Sequence, residues 1–196
     1  MKNGLTEVII LHDNNAPTPD FDAQLNKSKS FFTTLKKAEA RLPDGEIRVT
    51  LGSFGEGRKI LADDIPVAAV RPIVKYLTQG VGRRDIFDSV AATMIKKGDA
   101  YRDTDEAEHP ENVIFVLTAF GRDNASKSYT FSQIADMIAH QSYVYRWKFF
   151  CLTDEPLVPE QLGIPDEDVI FLDKDVDGFF VEALGELAEK IIKVVE

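Results

Sequence analysis

Short β-branched apolar runs alternate along this chain with longer segments of helical period, and no other feature limits the possible folds so strongly. Glu7-Val-Ile-Ile-Leu11 is a continuous apolar run of the kind buried on both faces of a parallel sheet. After the polar, proline-broken stretch from Asp13 to Pro19, apolar residues fall at Phe21, Leu25, Phe32, Leu35, Ala38 and Leu42. That is helical spacing, with Asp20 available as a cap. Pro43-Asp-Gly45 stops this helix, and Ile47 to Phe54 then alternates with period two, which predicts a strand. Gly55-Glu-Gly57 followed by Arg58 to Leu61 reads as a hairpin into a short antiparallel strand.

The segment from Asp64 to Arg84 holds Pro66, Pro72, Gly80 and Gly82 and predicts an irregular surface connection with at most one short helix. Helical spacing returns from Asp85 to Ile95 and is expected to end at Lys96-Lys97-Gly98. Asp103 to Glu111 reads as a solvated acidic loop. Further strands are expected at Asn112–Thr118, Trp147–Leu152 and Val169–Leu172, and helices at Tyr129–Gln141, Pro159–Leu162 and Val176–Val195. The order β-α-β-β-α-β-α-β-α-β-α predicts one α/β domain over residues 1–196. It is a three-layer α/β/α, Rossmann-like arrangement around an open, mostly parallel six-stranded sheet with one antiparallel edge strand. Such sheets bind ligands beyond the carboxyl ends of their strands, here after Leu11, Phe54, Leu117, Leu152 and Leu172.

With 196 residues, 44% of them hydrophobic, the chain can fill one core. Its 23 Lys and Arg against 33 Asp and Glu leave a net charge of −10, which disfavours nucleic acid backbones and anionic lipid. A single cysteine, Cys151, cannot close an internal disulfide. The apolar runs are strand-sized, far short of the roughly 20 residues of a membrane span. The N-terminus lacks an apolar leader pattern. Met1 is therefore read as a true start, in a cytoplasmic protein without a membrane partner.

Catalytic motifs are missing. No G-x-G-x-x-G opens a helix and no G-x-x-x-x-G-K-[ST] is present, so a nucleotide cofactor is not expected. Gly52-Ser-Phe-Gly55 has one residue too few for a nucleophile elbow, leaving Ser53 as a strand residue. His12, His109 and His140 lack zinc-motif spacing, and only His12, beside Asp13 at a strand end, is placed near a ligand crevice. Cys151 reads as a buried small hydrophobe. The adjacent phenylalanines at 31/32, 149/150 and 179/180 read as filling for a layered core.

Asn112-Val-Ile-Phe-Val-Leu-Thr-Ala-Phe-Gly-Arg-Asp-Asn-Ala-Ser-Lys-Ser-Tyr-Thr130, then a helix with Ile134 and Met137-Ile138, then Trp147-Lys-Phe-Phe-Cys-Leu152 together resemble a known pattern. The chain resembles a von Willebrand factor A domain, of the small stand-alone bacterial kind, over roughly Thr6 to Ile164. The resemblance implies a protein-binding domain with a metal-ion-dependent adhesion site, in which Mg²⁺ takes about six hard oxygens. Matched residue by residue, the family's Asp-x-Ser-x-Ser falls on Asp13, Asn15 and Pro17. Its Thr falls on Arg84, and its fourth-strand Asp on Ala119.

Hydroxyls and a carboxylate are thus replaced, and a guanidinium is brought near the crevice. The resemblance implies a degenerate site with no metal, Mg²⁺ included, in which Asp13 pairs with Arg83 or Arg84. Asp13 and Asn15 are vestigial ligand candidates, and the alternative is a residual cation site built on Asp13 with Asp85 or Asp88 contributing. The leading expectation is a non-enzymatic module that binds another protein through loops carrying Asp13, Asn15, Arg83, Arg84, Phe120 and Arg122. A second reading is an α/β enzyme or binding protein for an anionic small molecule held by Arg83, Arg84 and Arg122. A third is a structural subunit of a larger assembly.

Overall fold

Parallel pairing around β1 organises the molecule. The computed structural model describes residues 1–15, 21–42, 44–55, 57–70, 82–172 and 179–195, with only the helical backbone at 21–28 and 179–181. The elements are β1 (Lys2–Asp13), α1 (Phe21–Glu39), β2 (Glu46–Phe54), β3 (Lys59–Pro66), α2 (Ile86–Arg102), β4 (Pro110–Ala119), α3 (Phe131–Tyr145), β5 (Lys148–Thr153), α4 (Leu157–Leu162), β6 (Val169–Phe171) and α5 (Phe179–Val195). They form one six-stranded sheet in the order β3-β2-β1-β4-β5-β6. Only the β2/β3 pair is antiparallel, so the predicted topology and edge strand are those observed.

Alternation along each strand feeds two cores. Val8 and Ile10 of β1, Val49 and Leu51 of β2, and Val116 of β4 face Phe31, Phe32 and Leu35 of α1 and Leu187 and Ile191 of α5. Ile9 and Leu11, with Phe115 and Leu117, face Val90 and Met94 of α2 and Ile134 and Ile138 of α3. Phe149 and Phe150 divide between the two faces, whereas Phe31 and Phe32 enter the same core. The side chains of Phe179 and Phe180 lie outside the described residues.

Several boundaries differ from expectation. Helix α2 runs through Gly98 to Arg102, because inward-facing Lys97 and Tyr101 are anchored to β1 and override the stop signal. Strand β3 continues past Leu61 to Pro66. The acidic stretch holds a 3₁₀ turn at Glu106–Glu108, capped by Asp105, and β4 already begins at Pro110. Helix α3 starts later than predicted, at Phe131, because Thr130 and Gln133 form a reciprocal capping box. Of the irregular connection, Val67–Ala69 is a 3₁₀ turn with Val67 buried, and residues 71–81 lie outside the described residues, as do Pro17 and Asp20. No described helix is long and apolar enough to cross a membrane.

Candidate functional site

Asp13 ends β1 at the carboxyl edge of the sheet, between the ends of β2 and β4. It has no solvent exposure, and a buried carboxylate is tolerated only if its oxygens are bonded. Oδ1 accepts from Asn15 N–H and from Asn15 Nδ2, both at 2.8 Å. Oδ2 accepts from Phe120 N–H at 3.0 Å and lies 3.3 Å from Arg84 Nε. Of the two arginines expected to compete for Asp13, the structure pairs Arg84. Arg83 is exposed.

The loop carrying these arginines is held from two sides. Asn15 Oδ1 accepts from Gly82 N–H and Asn15 Nδ2 donates to the Arg83 carbonyl, both at 2.7 Å. Asn124 Oδ1 accepts from Arg84 N–H at 2.8 Å, and its Nδ2 donates to the Gly82 carbonyl at 2.9 Å. Gly55, at φ +122°, makes room for Asn15, since a Cβ there would stand 2.6 Å from Asn15 Nδ2. Gly121, at φ +103°, does the same for Arg84, whose Cζ would meet an added Cβ at 3.3 Å.

Beyond this loop, Asp123 and Ser126 serve the start of α2. Asp123 Oδ2 accepts from Phe87 N–H at 3.1 Å, and Ser126 Oγ accepts from Asp88 N–H at 3.1 Å. Asp88 accepts backbone N–H bonds from Lys127, Ser128 and Tyr129 at 2.8 to 3.0 Å. Burial works to raise its pKa, and these bonds outweigh that and hold it below the usual carboxylate range.

The side chains of the remaining expected residues are not brought to Asp13. Phe120, expected on the recognition surface, is 3% exposed and belongs to the core, with its ring edge-on to His12 at 6.1 Å. It serves the site through its backbone N–H. Arg122 is drawn to Glu155 at 2.9 Å. With Arg84 on Asp13 and Arg122 on Glu155, the three arginines do not form one anion pocket.

A hard dication needs about six oxygens. Around Asp13 the neighbouring groups are instead N–H donors. Asn15 must turn its NH₂ toward Asp13, because its oxygen takes the Gly82 N–H. Asp85 accepts from Gly55 N–H at 3.3 Å and Asp88 is spent on backbone. These residues do not fit a divalent ion, and among the described residues no three His, Cys, Asp or Glu side chains gather as a metal site.

His12 and Thr118 line the other side of the β1 end. Thr118 Oγ1 accepts from Asp13 N–H at 3.2 Å, which leaves its own proton for His12 Nδ1 at 2.7 Å. Burial lowers the His12 pKa from 6.5 to about 4, against the opposing pull of Asp13. His12 is therefore neutral at pH 7. Ser53 Oγ is buried without a hydrogen-bond partner among the described residues, so no base activates it. Burial pushes the Cys151 thiol up to about 12, which makes it inert.

A polar cluster that the sequence reading missed lies elsewhere on the same sheet face. Glu7 on β1 is 2% exposed and pairs with Lys97. It also accepts from Thr50 Oγ1 at 2.7 Å and from the Tyr101 hydroxyl. Lys97 reaches Asp63 as well, at 3.2 Å. This cluster borders a cleft of about 550 Å³ between α2, β3 and the start of β1. The available signal was parity: Glu7 shares a strand face with Ile9 and Leu11, and Lys97 and Tyr101 continue the inward stripe of Val90 and Met94.

No protein-family model matches the chain, and no curated protein matches it. Solved structures do. The vWF domain of the type V pili tip protein Mfa5 from Porphyromonas gingivalis superposes with a TM-score of 0.65 at 10% identity, covering 97% of this chain and 96% of that one. The PilB minor pilin from Streptococcus sanguinis gives 0.64 at 10% identity, covering 97% and 62%. Proximal thread matrix protein 1 from the mussel byssus gives 0.59 at 15% identity, covering 98% of this chain, which spans about half of that protein (46%). A further structure of the byssus protein has a zinc-occupied MIDAS motif. At such identities the likeness is one of fold, and that fold is the von Willebrand A type.

Proposed function

We propose that this von Willebrand A-type domain is a non-enzymatic module that binds another protein through the loops at the carboxyl edge of its sheet, without a divalent ion. One observation carries this reading: the Arg84 guanidinium stands against Asp13 where a cation would be needed, and the other Asp13 contacts are N–H donors. A guanidinium supplies positive charge and fixed hydrogen-bond geometry, so the loops are held in place with no metal to lose. The fold neighbours, two pilus proteins and a byssus matrix protein, support a binding role over catalysis, as does the inert setting of Ser53 and Cys151.

Isothermal titration with Mg²⁺ and Mn²⁺ tests the metal-free half of the proposal, with no saturable heat expected. Micromolar binding that disappears in Asp13→Ala would refute it. The protein-binding half is tested with a partner identified by crosslinking. Its affinity is expected to be unchanged in EDTA and to be lost when residues 82–84 and 120–124 are scrambled. A partner held equally well by the scrambled protein would sink the proposal.

A further inference from the structure

We draw no further inference here: the strongest candidate, the surface patch of Tyr143, Val144 and Tyr145 at the C-terminal end of α3, stands exposed, and nothing in the structure shows what covers it.

Discussion

Arg84 Nε stands 3.3 Å from Oδ2 of Asp13, a carboxylate wholly withdrawn from water. Removing the guanidinium leaves a buried charge with hydrogen bonds but no countercharge. Arg84→Ala should cost about 2–3 kcal/mol in urea denaturation. Asp13→Asn on its own should also destabilise, and the double variant should lose less than the sum of the singles. Additive losses would show that the pair contributes nothing.

Acid should weaken the fold through His12. Its folded pKa of about 4 lies below the unfolded 6.5, so the unfolded chain takes up the proton first as pH falls. The stability this residue contributes is full above pH 6.5 and is lost between 6.5 and about 4, to a total of order 3 kcal/mol. Denaturation midpoints measured across that window should flatten in His12→Asn, which keeps an acceptor near Thr118. An unchanged slope would remove His12 as the cause.

The Glu7 and Lys97 pair should behave as a unit. Lys97→Met alone strands a buried carboxylate and should cost about 3–5 kcal/mol, whereas Glu7→Leu combined with Lys97→Met should recover much of that loss. Calorimetric melting of the three proteins decides it. A double variant worse than either single would contradict the pairing.

Gly121→Ala should destabilise by about 1–3 kcal/mol, through its left-handed backbone and through the contact with Arg84. In an Arg84→Ala background the steric part disappears and the cost should shrink. The same cost in both backgrounds would assign the whole effect to the backbone.

Much of the fold was legible because strands buried on both faces and helices with one buried face write different periods into the chain. The order of elements and the division of Phe149 and Phe150 follow from those periods, and the antiparallel edge from the glycine-bearing turn at Gly55-Glu-Gly57. Local signals failed where a distant contact outweighed them, as at Gly98, where the helix continues because Lys97 and Tyr101 are tied to Glu7. At the site, the resemblance set Arg84 and Ala119 at the positions where the family carries a Thr and an Asp, which made an arginine near Asp13 an expectation of the sequence. Which arginine meets Asp13 was not legible, since adjacent loop residues have no periodicity to separate them. Phe120 was misread for a related reason: past a strand end, parity no longer tells inside from outside.

Helix α2 is fastened near both ends. Asp123 and Ser126 cap its first turn, while Lys97 and Tyr101 bind its last turns to Glu7. Over 17 residues, about 25 Å of helix, it forms a wall of the cleft beside Glu7. A helix so moored cannot slide along its axis like a piston without tearing an ionic or capping contact at one end. It is built as a strut, a beam that joins the loops beside Asp13 at one end to the Glu7 cluster at the other.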